Sequence, residues 1–260
     1  MAGSRRDILR IGVIVGVAAL VMARPWQGLR EPDLAFEDMP GLAPLRRLAG
    51  AGDASAGSAT QAVFAGLDAG DEPSEAERAA AARLRADPCG ALGLAWPEDG
   101  PLPITYFTDI RCPSCRRLEA SLNALAADDA VPLRQTTREF PVFGARSEAA
   151  ARAIVAAAPQ GADEMVRAQL RSRPAPETTD AARRMAGSLG LDADAYIDAW
   201  ESPATTARLA EDRAFARALG LPGTPGLVIG RTVVLGVQPR ETLRTLMLQE
   251  LEEGPPATCT

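Results

Sequence analysis

From residue 74 onward the chain switches between two hydrophobic periods, and each switch marks an element. Leu102 to Thr108 is an apolar run rich in strand formers and predicts a β-strand. Pro113 to about Ala127 returns to helical spacing, and Val131 to Glu139 predicts a second strand, ended by Phe140-Pro141-Val142-Phe143-Gly144. Ser147 to Leu219 is a long helical region broken at Pro174 and Gly190. Within it Ser147 caps the first helix, further helices are predicted over 164–171, 180–189 and 193–201, and Ala204 to Leu219 closes the region. Past Gly220 the strand pattern comes back. Leu227-Val228-Ile229 and Thr232-Val233-Val234-Leu235 flank Gly230-Arg231, the signature of a two-residue hairpin. Pro239 opens a last helix, which ends near Glu253 at Gly254-Pro255-Pro256. Upstream, Ser74-Glu75-Ala76-Glu77 is a capping box that starts an Ala/Arg helix reaching about Ala86. Asp87-Pro88 stops it, and Cys89 follows in a glycine-rich turn. No internal repeat is evident.

Before residue 74 the periodicity fades. Residues 24–73 are rich in Pro, Gly, Ala and acidic side chains, and Gly50 to Ser58 is a flexible, low-complexity tract. This stretch reads as a membrane-proximal spacer, with Phe36, Phe64 and the Leu45/Leu48 pair as the residues that would dock on the following domain. The first 23 residues read as an export segment. Arg5, Arg6 and Arg10 precede an uncharged, mostly apolar run from Ile11 to Ala23. That run is shorter than the roughly 20 residues of a spanning helix and suits a signal-peptide core or a short uncleaved anchor. Ser4-Arg5-Arg6-Asp7-Ile8-Leu9-Arg10 also resembles a twin-arginine export signal; the plainer reading is the charged start of a general secretion signal. The expected organisation is therefore a signal or anchor over 1–23, a spacer with a short helix over 24–88, and one domain over 89–260.

Composition narrows the chemistry. At 47% hydrophobic and only 4% aromatic, the core must be built mostly of Ala, Leu and Val. The chain has 28 Lys+Arg and no His, and every one of those basic residues is Arg. A histidine-based triad, a His-ligated metal or haem, and a Schiff-base lysine are all excluded. A net charge of -6 without a basic stripe argues against nucleic acid as a partner.

The chemistry concentrates at Cys112-Pro113-Ser114-Cys115, directly between the Leu102–Thr108 strand and the following helix. Two cysteines two residues apart at a strand-to-helix turn are the pattern of a thioredoxin-fold redox pair. Cys112 would sit at the exposed helix start, where unpaired backbone N–H groups and the helix dipole favour a thiolate. Cys115, one turn in, would be the buried resolving thiol. Arg111 and Arg116 add positive charge, whereas Arg117 reads equally well as a solvated helix residue. Pro113 suits the first turn because its missing N–H would be unpaired there anyway. Ser114 can donate a weak hydrogen bond to the Cys112 sulfur. A zinc site would need a second close pair or histidines, and a structural disulfide closing so short a loop gives little entropic stabilisation. The element order also matches a thioredoxin core whose two halves are separated by the helical block, an α/β fold with an inserted α-helical subdomain at about 147–219.

Residues 100–253 resemble the DsbA-like family of thioredoxin-fold thiol-disulfide oxidoreductases. Phe107-Thr108-Asp109-Ile110-Arg111-Cys112-Pro113-Ser114-Cys115 is similar to its F-x-D-x-x-C-P-x-C segment. Arg138 to Gly144 is similar to the lead into its inserted helices, and Leu219-Gly220-Leu221-Pro222-Gly223-Thr224-Pro225 to its G-x-x-G-T-P approach. The resemblance implies a cis-proline loop at Thr224 and Pro225 facing the cysteine pair, with the backbone of Thr224 offered to substrate. Two positions depart from the pattern: many members carry His or Tyr at the place of Ser114, and a buried Glu at the place of Tyr106. A weaker thiolate stabiliser implies a less oxidising pair. Asp109 either caps the active-site turn or relays a proton to Cys115. Cys89 and Cys259 either form a second disulfide tying the ends of the domain together or are two unrelated surface thiols. Unpaired thiols are a liability after export, which favours the pairing.

The function expected on these grounds is disulfide exchange with unfolded or thiol-containing protein substrates in the periplasm or cell envelope. A redox partner protein would reset the pair, no cofactor or metal would be required, and the N-terminus would export or tether the chain. The alternative is a non-enzymatic periplasmic binding module, such as a chaperone or a copper(I) carrier using the two thiolates.

Overall fold

The computed structural model describes residues 33–50, 72–97, 100–127 and 131–259. The export segment, most of the low-complexity tract and Phe64 lie outside these residues.

A six-stranded mixed sheet carries the domain. Its strands are β1 (Phe36–Asp38), β2 (Arg46–Leu48), β3 (Leu102–Thr108), β4 (Leu133–Glu139), β5 (Gly226–Ile229) and β6 (Thr232–Leu235), in the order β1-β2-β6-β5-β3-β4. β3 pairs with β4 in parallel and with β5 antiparallel, and β5 and β6 form the antiparallel hairpin. β2 then adds to β6 in parallel and β1 closes the edge antiparallel to β2. Every residue of β3 is buried, as expected of a central strand covered on both faces.

Alternation along the strands feeds two different cores. Ile104, Tyr106, Leu227, Ile229 and Val234 face a cluster completed by the helices α3 (Pro113–Ala126) and α9 (Arg240–Glu253). Phe107, Val228 and Val233 face the other way, against α1 (Glu75–Ala86), α2 (Pro88–Leu92) and α8 (Pro203–Ala218). α3 presents Cys115, Leu118, Leu122 and Leu125 to the sheet, a stripe at helical spacing. α9 does the same with Leu243, Leu246 and Met247, and adds one charged residue, Glu250. Glu250 is fully buried yet satisfied: its carboxylate accepts from Arg46 at 2.8 Å, from the Thr232 hydroxyl at 2.5 Å and from the Arg231 N–H at 3.0 Å. It thereby bolts the last helix to the hairpin and to β2. Gly230 takes a positive φ in the hairpin turn, where a Cβ would meet Glu250 at 2.3 Å.

Between β4 and β5 lies the helical insertion: α4 (Ala145–Ala157), α5 (Asp163–Leu170), α6 (Thr179–Ser188), α7 (Ala193–Glu201) and α8. The first four enclose a core of their own, in which Ala150, Ala153, Ala156, Ala157, Ala182 and Ala186 allow close helix approach around Tyr196 and Trp200. α8 differs, because Phe215 and Leu219 join the core beneath the sheet. The insertion is tied to the sheet by buried charge. Arg167 of α5 contacts Glu139 of β4 at 2.5 Å, and Arg138 contacts Asp212 of α8 at 2.7 Å.

Three local differences from the sequence reading have plain causes. The stretch read as a spacer holds β1 and β2, three residues each, too short to show a period; Phe36, Leu45 and Leu48 pack into the cores. Cys89 stands in a short helix, α2, whose N-terminus Asp87 caps by accepting from the Gly90 N–H. The first inserted helix begins at Ala145 after Gly144, and the Ser147 hydroxyl is directed elsewhere.

Candidate active site

β3 ends at Thr108, the chain turns through Asp109–Arg111, and α3 begins, so the cysteine pair stands at the end of the central strand. Cys112 is the N-cap of α3, and its Sγ accepts the Cys115 N–H at 3.1 Å. No acidic residue occupies the first turn of the helix. A sulfur in this position lies where the dipole and the free N–H groups favour negative charge. Cys112 and Cys115 are in the thiol state, not joined by a disulfide.

The loop before β5 completes the site. The Thr224–Pro225 peptide bond is cis, and the Cys112 thiol reaches the Thr224 carbonyl at 3.5 Å. Residues 112 sequence positions apart are thus brought to contact by the pairing of β3 with β5. The Thr224 side chain is buried and its hydroxyl has no partner among the described residues. Cys112 was expected at an exposed helix start, yet it is 0% exposed, covered where the Thr224 carbonyl closes over its sulfur.

Cys115 is buried beneath Cys112. Burial pushes its thiol far above the ordinary cysteine range, and the hydrogen bond with Cys112 adds to the effect, against a lowering contribution from the Asp109 N–H. Tyr106 stands beside it, donating to the Cys115 carbonyl at 3.2 Å and accepting from the Thr108 hydroxyl at 3.1 Å. Burial, with the neighbouring Cys115 next, raises the Tyr106 phenol as well. Both groups therefore stay neutral at ordinary pH. Ser114 accepts from the Arg117 guanidinium at 3.0 Å, so Arg117 folds back on the active-site dipeptide.

Asp109 is buried with both carboxylate oxygens engaged. Oδ1 accepts from the Arg111 N–H at 2.8 Å and the Ser147 hydroxyl at 2.9 Å, and Oδ2 accepts from the Val142 N–H at 2.8 Å. It pins the cysteine turn to the β4–α4 loop and to the first turn of α4. These contacts are those of a turn cap, extended to a second segment that nothing in the local sequence indicates. Cys89 and Cys259 form a disulfide, with Cα atoms 5.2 Å apart, that joins α2 to the C-terminal turn.

Several contributors escaped the sequence reading. Thr108 belongs to a strand whose inward positions read simply as core, and Tyr106, noted only as a departure from the family pattern, gave no sign of its hydrogen bonds to Thr108 and Cys115. Ser147 and Val142 act through one hydroxyl and one backbone N–H. Among the described residues no helix is long and apolar enough to cross a membrane.

Comparison with known proteins places this architecture. The model of the DSBA-like thioredoxin domain matches residues 103–247. A thioredoxin-like oxidoreductase from Silicibacter pomeroyi DSS-3 is 31% identical, over 60% of this chain and 89% of that one, with a TM-score of 0.51. ScsC from Proteus mirabilis, in a transitional conformation, is similar in fold at 20% identity, over 75% of this chain and 88% of its own, with a TM-score of 0.52. No curated protein matches the sequence.

Proposed function

The chain belongs to the DsbA-like thioredoxin-domain family of thiol-disulfide oxidoreductases, and on that premise we propose that it exchanges disulfides with protein substrates through Cys112 and Cys115. One observation carries the assignment: the Cys112 sulfur accepts a helix N–H on one side and lies 3.5 Å from the carbonyl that precedes a cis-proline on the other.

In the oxidising direction a substrate thiolate attacks Cys112 Sγ of the paired disulfide. The Cys112–Cys115 bond breaks, its electron pair goes to the Cys115 sulfur, and that sulfur takes up a proton. A mixed disulfide now joins the substrate to Cys112. A second substrate thiolate attacks the substrate sulfur of this bond and expels Cys112 as a thiolate. Two electrons have passed from the substrate dithiol to the pair, and the disulfide of a redox partner protein takes them back. The reverse sequence reduces a substrate disulfide with the same atoms, and the reduction potential of the pair sets the direction.

The geometry supports this division of roles. Burial keeps the Cys115 thiol neutral, which leaves the thiolate role to the N-cap sulfur. Thr224 offers its backbone beside Cys112 as the place where an extended substrate segment would lie, with Pro225 holding the loop. Pro113 starts the helix without an N–H to satisfy, and Ser114 contributes no charge. Asp109 fixes the turn. Export to the periplasm or cell envelope is supported by the arginine-led apolar run over 5–23 and by the Cys89–Cys259 disulfide, a bond that lasts in oxidising compartments. The strands and helix before residue 89 pack into the same cores, so the compact unit over residues 34–260, with the helical insertion, then forms the working domain behind an N-terminal signal or anchor. The copper(I)-carrier reading is not favoured by the family match.

The test is Cys112→Ser. Insulin reduction and the oxidation of a dithiol peptide should both fall to background. Retention of either activity would sink the assignment.

A further inference from the structure

A cleft of about 260 Å³ opens beside the cysteine turn, lined by Ile110 and Arg111 of that turn, Arg146 of α4, and Arg173, Pro174 and Glu177 after α5. Three guanidinium groups and one carboxylate meet there, on a chain whose net charge is -6. Arg111, Arg146 and Arg173 are exposed, and none has an ion-pair or side-chain hydrogen-bond partner among the described residues. By contrast, the arginines that hold the fold together, such as Arg138 and Arg167, are buried against carboxylates. Unpaired guanidinium groups gathered at one cleft suit planar carboxylates, which they can grip with two parallel hydrogen bonds. The cleft is smaller than the roughly 300–1,000 Å³ of a pocket for a drug-sized ligand, and its scale is that of one or two side chains. Pro174 and Ala175 add an apolar floor and continue into a neighbouring cleft that Arg184 also lines.

We propose that this cleft selects substrates by charge: it receives Asp or Glu side chains that flank the reacting cysteine of a peptide segment bound at Cys112. Arg111 adjoins Cys112 in the chain, so a residue a few positions from the substrate cysteine falls within reach. Glu177 bounds the selection at one wall, disfavouring a second carboxylate there. The proposal rests on the disulfide-exchange reading of the pair and deepens it.

The test uses the oxidised protein and three two-cysteine peptides of equal length, with Asp/Glu, Asn/Gln or Arg beside the cysteines. The second-order rate of peptide oxidation is followed by thiol trapping. At low salt the acidic peptide should react about tenfold faster than the neutral one, the lower end of electrostatic steering, and the Arg peptide slower still. The preference should shrink at 0.5 M NaCl, where screening lengths fall to a few ångströms. Arg146→Gln with Arg173→Gln should reduce the acidic-to-neutral ratio to about threefold or less, whereas Arg85→Gln on α1, outside the cleft, should keep it. All three substituted side chains are exposed at the surface, so the variants should fold. Equal rates for acidic and neutral peptides, or a preference that survives the double substitution, would overturn the proposal. So would a preference for glutathione with no advantage for the acidic peptide, which would assign the cleft to a small thiol. Failure of even the neutral peptide to react would instead bring down the exchange reading beneath it.

Discussion

Asp109 shows how much one buried carboxylate can organise. It accepts two backbone N–H groups and a hydroxyl from three segments of chain, one of which carries Cys112. A hydrogen bond to a charged group contributes about 1.5–3 kcal/mol, and an abandoned buried donor carries a similar penalty. Asp109→Ala should therefore lower unfolding stability in urea by about 2–4 kcal/mol, and Asp109→Asn, which keeps one acceptor oxygen, by less. Exchange activity per folded molecule should survive in Asp109→Asn. An Asn variant of normal stability whose exchange rate collapses would mean that the carboxylate moves a proton rather than capping the turn. Sequence could name both roles for Asp109 but could not choose, because the deciding partners, Val142 and Ser147, lie more than thirty positions away.

At the scale of elements, the contact of β4 with α5 depends on ionisation. Burial pushes the Glu139 carboxyl up to about 7, while the Arg167 guanidinium beside it pulls the other way; the Asp212 and Asp109 carboxylates add to the rise. A carboxyl that is harder to ionise folded than unfolded gives stability that is complete below about pH 4.5. That stability is lost as the pH climbs through about 7. Between these limits the shift is worth roughly 3 kcal/mol. Urea unfolding at pH 5 and pH 8 should thus show the wild type losing ground to Glu139→Gln by an amount of that order. A gap that stays constant across the two pH values would show that Glu139 is already ionised at pH 5. The elements themselves were legible in the sequence wherever a period ran for a full turn of helix or several strand residues. The predicted strand over 102–108 and helix over 193–201 coincide with β3 and α7. β1 and β2 were not legible, since three residues carry no period and β2, on which β1 pairs, finds its own partner β6 near residue 232.

For the molecule as a whole, the Cys89–Cys259 disulfide closes the chain across a separation of 170 residues. A loop of that length carries up to about 5 kcal/mol of unfolded-state entropy, of which native disulfides commonly deliver about 2–5 kcal/mol. Cys89→Ser with Cys259→Ser should lower stability within that range and leave Cys112 and Cys115 able to react. A double variant as stable as the wild type would show that α2 and the C-terminal turn are held by packing alone. The insertion is a second whole-molecule feature. α4 to α7 close their own core, while α8 returns Phe215 to the core under the sheet, so the helical block is continuous with the domain that carries the cysteines.

The sequence by itself determined the chemistry and the order of elements. The CxxC spacing, the period changes and the hairpin dipeptide are local, and local signals need no knowledge of what lies across the fold. The family resemblance already implied that Thr224 and Pro225 face the cysteine pair; tertiary structure alone decided how closely the site is covered and what gathers beside it. Pairing of β3 with β5 brought the Thr224 carbonyl onto the Cys112 sulfur and buried it, and packing of the insertion against the cysteine turn gathered Arg146 and Arg173 near Arg111. Each of these contacts joins residues far apart in the chain, and a distance set by folding leaves no mark on the residues it separates.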